Sequence, residues 1–591
     1  MSDDTPTSPP PPPAPDGPAT PDATVEQPAA PEAAPAAGGG NGKKIALGIG
    51  AVVAVAAVGG GAYAWTQLSG GGTQPHDVLP ADTIAYVRLD LDPSASQKID
   101  LFRLARRVPE LSQELGIKDE GDDLRKIVLQ DALEGCDDVD YAKDVEPWLG
   151  ERIGLGVGPN LQDEEESLRI AVQVTDEKAA KTGIGKLFAC SDEEFGIGFL
   201  DGYAIVTPTQ KSADAAVKAA STKSLADDAD FTRDQDALDE QGVLSGWVDV
   251  KDGLAAIQEA GIDDVLGPDA ADLETVADQT SSLAFALSAS STSLTLDAVA
   301  REGDKATKLP EVRGLGALPD DTVVGLTVPG GGNAVEENWD EIKSSLGDLL
   351  SLRDVFGVPG LGTPSPQPEF DAEAYAADPE GYEEEYLAQL EQQTAPSSPS
   401  STDVDATLEE IEKTLDVTLP DDLVTLLGDA FSVYVGRDGL EDIAGPQGPA
   451  DPSDVAVGLV TEGDEAKAAD LATRLTASLQ RLAGVELATS TGDDAVSIAT
   501  SPKVAKELVE DGDLAGTDLF SSVIDGDGEG GGLFVDVGAI LDAVAKAEPD
   551  VEQDDVFTSL RNIAAVGFST TRPQDGYTGV SASVAFTERK Q

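Results

Sequence analysis

The run from Ile45 to Leu68 constrains this chain more than any other stretch. Ile45 to Trp65 is apolar, small or aromatic throughout, and Lys43-Lys44 stands immediately before it. At about 1.5 Å per residue the run makes a helix of roughly 36 Å, enough to cross a hydrocarbon core of about 30 Å. After Lys44 the next Lys or Arg is Arg88. The positive-inside bias therefore places the tail before the run in the cytoplasm and everything after it outside. Gly48, Gly50, Gly59, Gly60 and Gly61 would each weaken a helix in water by about 0.5–1 kcal/mol relative to Ala. In lipid no water competes for the backbone, so the helix forms regardless. The expectation is a single-pass signal-anchor in the cell membrane. Cleavage after Ala62-Tyr63-Ala64 and a buried soluble helix are the alternatives. The length of the run and of the tail before it favours the uncleaved anchor.

Charge narrows the outer part. Asp and Glu number 111 against 39 Lys and Arg, a formal net charge of −72. Nucleic-acid phosphates require Lys and Arg, so a nucleic-acid partner is excluded. Lying flat on an anionic membrane is equally disfavoured. The two cysteines, Cys136 and Cys190, fall outside the membrane, where an isolated pair forms one disulfide. Two free buried thiols are the alternative. Neither a CxxC pair nor clustered His points to a metal, and no cofactor motif is present. The lone histidine, His76, lies in the Gly-rich stretch after the run, read here as a flexible stalk unsuited to catalysis.

Residues 1–42 are rich in Pro, Ala, Asp and Glu and read as a disordered cytoplasmic tail. Residues 43–68 form the transmembrane helix and 69–76 the stalk. Beyond them the sequence is written twice. Leu79-Pro80-Ala81-Asp82-Thr83 recurs as Leu318-Pro319-Asp320-Asp321-Thr322, and Leu149-Gly150 as Leu427-Gly428. Ala171-Val172 matches Ala456-Val457, and Tyr203–Thr207 matches Ala495–Thr500. Val248-Asp249-Val250 matches Val535-Asp536-Val537, and Phe285 matches Phe568. The order is collinear, and the growth in the offset from the first match to the last is close to the length of one insertion, 357–405. The expected domains are two related units, 77–310 and 311–588.

Each unit reads as α+β. Thr83–Leu89, Ile153–Val157, Leu168–Val174, Phe195–Phe199, Tyr203–Val206 and Val243–Val250 are short β-branched or aromatic runs. Ser282–Ser288 and Ser293–Ala300 resemble a hairpin about Ser290-Ser291. Glu177–Phe188, Ser212–Ala220, Gly253–Ala260 and Ala466–Leu482 read as Ala-rich helices. Strands that follow one another directly predict a mostly antiparallel sheet, with helices over one face.

Three further motifs carry weaker chemistry. Asp525-Gly526-Asp527-Gly528-Glu529-Gly530 resembles the start of a calcium loop with Asp536 twelfth, yet Asp536 also belongs to the repeated strand motif, and a turn entering a strand is the favoured reading. Lys98, Arg103, Arg106 and Arg107 form the densest basic patch outside the membrane. A solvated or internally paired helix face is preferred over contact with anionic headgroups. In the insertion, 379–392 could form a short helix carrying Tyr382, Tyr386, Leu387 and Leu390. A surface loop is preferred over a docking segment.

Leu79-Pro80-Ala81-Asp82-Thr83, then Leu89-Asp90-Leu91-Asp92-Pro93-Ser94, then an amphipathic helix ending at Val108-Pro109, resemble an actinobacterial membrane-anchored family of unknown function, the DUF3352 group. The resemblance implies a tail, one span, a stalk and an outer domain, and supplies no catalytic residues. The expected function is a non-enzymatic envelope protein that binds or organises something outside the membrane, with lipid or lipoprotein handling as a subsidiary reading. The rivals are an envelope hydrolase using paired carboxylates and a scaffold joining cytoplasmic partners to the envelope.

Overall fold

The computed structural model describes residues 72–91, 95–107, scattered positions between 123 and 138, 139–191, 194–238, 242–260, 277–303, 310, 312–356, 401–445, 449, 451–528, 530–572 and 574–587. The tail, the run 45–68 and the candidate helix 379–392 lie outside the described residues.

The strands are β1 (Ala85–Asp90), β2 (Leu149–Val157), β3 (Leu168–Val174), β4 (Gly196–Leu200), β5 (Tyr203–Thr207), β6 (Leu244–Asp249), β7 (Thr280–Ala289) and β8 (Ser293–Glu302) in the first half. The second half holds β9 (Thr322–Pro329), β10 (Ala430–Gly436), β11 (Val457–Glu462), β12 (Ala488–Thr491), β13 (Ala495–Ala499), β14 (Gly532–Asp536), β15 (Ile563–Thr571) and β16 (Tyr577–Phe586). They join in one 16-stranded sheet, in the order β12-β13-β11-β10-β9-β14-β15-β16-β8-β7-β6-β1-β2-β3-β5-β4. The described pairings are antiparallel, as expected from strands that follow one another closely in sequence. β7 and β8 form the hairpin at Ser290-Ser291, closed by Ser290 N–H donating to the Ser293 carbonyl at 2.8 Å.

Helices cover both faces of the sheet, which corrects the expectation of one helical layer. On the side of Tyr86, Trp247, Tyr434 and Phe534 lie the helices Gln210–Ala220, Ala229–Asp236, Pro502–Val509 and Asp518–Ser521. The opposite side carries Ala95–Arg107, Glu177–Ser191, Val250–Ala260 and Glu465–Ala483. The reason is in the strands. β5 and β13 are buried at every position, so each has two apolar faces to cover.

Helix starts are set by side-chain caps. The Asp536 carboxylate ends β14 and accepts the Ala539 amide at 2.8 Å, opening the helix Val537–Ala547. Its other oxygen accepts from Arg437 at 2.7 Å. Asp536→Ala is expected to lower stability by about 1–2 kcal/mol, read from the denaturant midpoint.

Candidate functional site

Alternate residues of the strands line up into rows. On the face opposite Tyr86, one row runs Leu326–Leu533–Phe568–Ala582–Leu296–Leu287–Leu244–Leu89 across β9, β14, β15, β16, β8, β7, β6 and β1. Every member is apolar. The neighbouring positions Val566, Val580, Val584, Leu294, Ala298 and Phe285 extend it on both sides. Towards its first-half end the row is covered, since Leu287 and Leu244 pack with Ala256 of the helix Val250–Ala260. Leu104 of Ala95–Arg107 closes over Ala289 and Leu294. Beyond these covers, towards the second half, the floor opens, and Leu296, Phe568 and Val328 stand 39%, 40% and 40% exposed. Open apolar side chains in register on the middle strands of a sheet form a surface suited to an apolar partner.

The other face of the same central strands is small and polar. Ser432, Thr327, Gly532, Ser569, Ser581, Asp297, Ala286 and Ser245 share one row. Beside it lies the buried polar junction between the halves. Asp234 is 1% exposed; it accepts from the Tyr577 hydroxyl at 2.6 Å and from the Trp247 indole at 2.7 Å, and pairs with Arg301 at 3.1 Å. Arg301 also bonds Ser282 and Asp230, each at 3.0 Å. Burial and the Asp234 carboxylate push the Tyr577 hydroxyl well above its ordinary range. A second charged cluster joins Arg88 and Arg152 to Asp90, with Arg152 donating at 3.0 Å.

His76 belongs to this packed layer, which corrects its assignment to a flexible stalk. It sits in the short 3₁₀ turn Pro75–Asp77, 5.8 Å from the Tyr86 ring and 5.2 Å from that of Phe231. Burial lowers its pKa to about 4 against the opposing pull of Asp77, with Arg88 adding to the fall. The turn is held at its start by the Tyr203 hydroxyl, which donates to the Thr73 carbonyl at 2.9 Å. Sequence reading missed this because the apolar partners, Tyr86 and Phe231, are distant in the chain.

Cys136 and Cys190 are joined in a disulfide with their Cα atoms 5.6 Å apart. Among the described residues no three His, Cys, Asp or Glu gather as a metal site. Both carboxylate oxygens of Asp536 are engaged by Ala539 and Arg437. Burial raises the pKa of Asp249 and of Glu462, but these close β6 and β11, far apart in the sheet. An open groove of about 660 Å³ is lined by Arg437, Lys546 and Arg561. Each cation there meets a carboxylate: Arg437 with Asp536 at 2.7 Å, Lys546 with Glu441 at 3.2 Å, and Arg561 with Glu552 at 3.3 Å.

A very large antiparallel sheet bearing helices on both sides, with exposed apolar side chains at its middle, defines an α+β protein. Residues 47–196 match the family described as a protein of unknown function (DUF3352), and the chain resembles DUF3352 domain proteins. The matched stretch takes in most of the apolar run. No curated protein matches the chain. A solved structure described as "Structure of crystal form I of TP0453" aligns at 8% identity and a TM-score of 0.20, covering 41% of this chain and 83% of that one. Among the described residues no helix is long and apolar enough to cross a membrane.

Proposed function

We propose that this chain is a single-pass, membrane-anchored extracytoplasmic protein of two related units, without catalytic role, that binds an elongated apolar ligand such as a lipid acyl chain. The observation that carries the binding reading is the open floor of Leu296 and Phe568, two members of a row that is apolar throughout, with Val328 exposed on the same face of β9. An acyl chain fits a floor that is apolar, several strands wide and flanked by helices.

The two-unit reading is supported by the strand order. Numbered from one to eight within each half, both halves read 8-7-6-1-2-3-5-4, and they meet where β8 pairs with β16. Local contacts recur as well. The Thr83 hydroxyl donates to the Pro80 carbonyl at 2.7 Å, and that of Thr322 to Pro319 at 2.6 Å. Leu225 N–H donates to the Leu79 carbonyl at 2.8 Å, and Leu514 N–H to that of Leu318 at 3.0 Å. Asp249 and Asp536 each accept the amide three residues on. Register shifts one sequence match: Ala171 corresponds to Val460, not Ala456, because Gly154 and Ser432 are their partners on β2 and β10. The anchor reading rests on the run 45–68, and the actinobacterial setting on the sequence resemblance alone.

The full-length chain, held soluble in an amphipathic polymer, is expected to take up a fluorescent long-chain fatty acid saturably. Phe568→Asp is expected to weaken that uptake by about tenfold or more, since burying a Phe side chain contributes about 1.5–3 kcal/mol. Its melting temperature is expected to stay near wild type, because Phe568 is 40% exposed. Absence of saturable uptake, or equal uptake by the variant, would overturn the reading.

A further inference from the structure

We infer that the helix Ala95–Arg107 is a docking surface for anionic phospholipid headgroups, which resists the general repulsion between this acidic chain and a membrane. The inference rests on the anchor reading of residues 45–68. Its geometry begins with the tether. Only Ser69, Gly70 and Gly71 separate Leu68 from Gly72, where the described domain begins. Four Cα steps of 3.8 Å reach at most about 15 Å, so the point of entry into the domain is held against the headgroup layer.

That point of entry and the basic helix share one end of the sheet. Gly72 is followed by Thr73, whose carbonyl accepts from Tyr203. Tyr203 opens β5 and pairs with Gln173 near the close of β3. At the same end Leu149 of β2 pairs with Val174 of β3, and Arg152 of β2 donates to Asp90 at 3.0 Å. Asp90 closes β1, and the helix Ala95–Arg107 starts five residues later. From there the helix runs along the same rim. Leu104 packs on Ala289 at the β7–β8 hairpin end, and Arg107 donates to the Thr587 carbonyl at 2.8 Å, just past β16.

Charge supplies the second argument. The helix reads ASQKIDLFRLARR, with four cations against Asp100, in a chain of net charge −72. Phe102, Leu104 and Ala105 face inward at 1% exposure each, which turns Arg103 and Arg106 to the exposed side. The Arg103 side chain is 59% exposed and meets Asp100 at 3.5 Å, an ion pair open to exchange with phosphate. Each basic residue near an anionic surface adds attraction that falls off within a Debye length.

The test uses full-length protein in nanodiscs of phosphatidylcholine alone or with phosphatidylglycerol, read by hydrogen–deuterium exchange of residues 95–107. Exchange is expected to slow by about fivefold or more with phosphatidylglycerol and to return to the neutral-lipid rate in about 1 M salt. Arg103→Glu is expected to remove most of the difference. The salt titration on wild type reads the same effect should that variant fold poorly. The helix Glu465–Ala483 is expected to exchange identically in both lipids. If the chain co-elutes with the discs yet 95–107 exchanges equally in both, this inference alone falls. If the chain fails to enter discs of either composition, the anchor reading falls and takes the inference with it.

Discussion

Replacing Asp234 with Ala is expected to lower the unfolding free energy by about 3–5 kcal/mol, the cost of removing one member of a buried ionic network. Asp234 is 1% exposed and satisfies three groups at once: the Tyr577 hydroxyl, the Trp247 indole and the Arg301 guanidinium. These come from β16, β6 and β8, so one carboxylate on the helix Ala229–Asp236 ties the first half of the sheet to the last strand of the second. With Ala in its place the guanidinium keeps Ser282 and Asp230 among the described residues, and the two aromatic donors lose this buried partner. Tyr577→Phe removes one hydrogen bond and leaves the carboxylate paired, so its expected loss is about 1–2 kcal/mol. Asp234→Asn falls between them. Denaturant unfolding followed by circular dichroism orders the three variants. Equal midpoints for wild type and Asp234→Ala would remove this carboxylate from the account of how the halves are joined.

Acid is the second large lever. His76 has a folded pKa of about 4 against an ordinary value of 6.5. Above pH 6.5 the ring is neutral in both states and contributes nothing that depends on pH. Between 6.5 and 4 the unfolded chain binds a proton that the folded protein refuses, so stability falls as pH falls through this window. At about 1.4 kcal/mol per pKa unit the full loss is at most about 3.5 kcal/mol, complete below pH 4. Carboxylates titrate nearby, so the useful quantity is the difference between wild type and His76→Gln. The variant is expected to be less stable at pH 7, where it loses the contacts with Tyr86 and Phe231, and to lose less between pH 6.5 and 4. Parallel stability curves for the two proteins would show that the ring meets water freely in the fold.

Much of the secondary structure was legible because local pattern and tertiary outcome agree. Leu168–Val174 is β3 to the residue. Phe195–Phe199 shifts by one at each end to become Gly196–Leu200. The helix expected over Glu177–Phe188 extends to Ser191, and that over Ala466–Leu482 becomes Glu465–Ala483, where Asp464 caps the first turn and Gly484 takes the left-handed conformation at the end. The site was much less legible. Period-2 alternation marks Leu294 and Leu296 as one face of a strand, but nothing local says whether a helix will lie over that face. His76 misled for the same reason, since a Gly-rich approach says nothing about Tyr86 and Phe231 closing round the ring.

What the sequence determined by itself was whatever rests on covalent order and short-range preference: the apolar run, the acidic balance, the strand and helix segments and their antiparallel succession. Only the tertiary structure decided which faces those strands share, that helices lie on both sides, that Asp234 meets Tyr577, and that Leu296 and Phe568 stand open at the middle of the sheet. Those outcomes depend on contacts between residues hundreds of positions apart. Their free energies arise from burial and from partnered charge in a dry interior, and neither exists until the strands have been brought side by side.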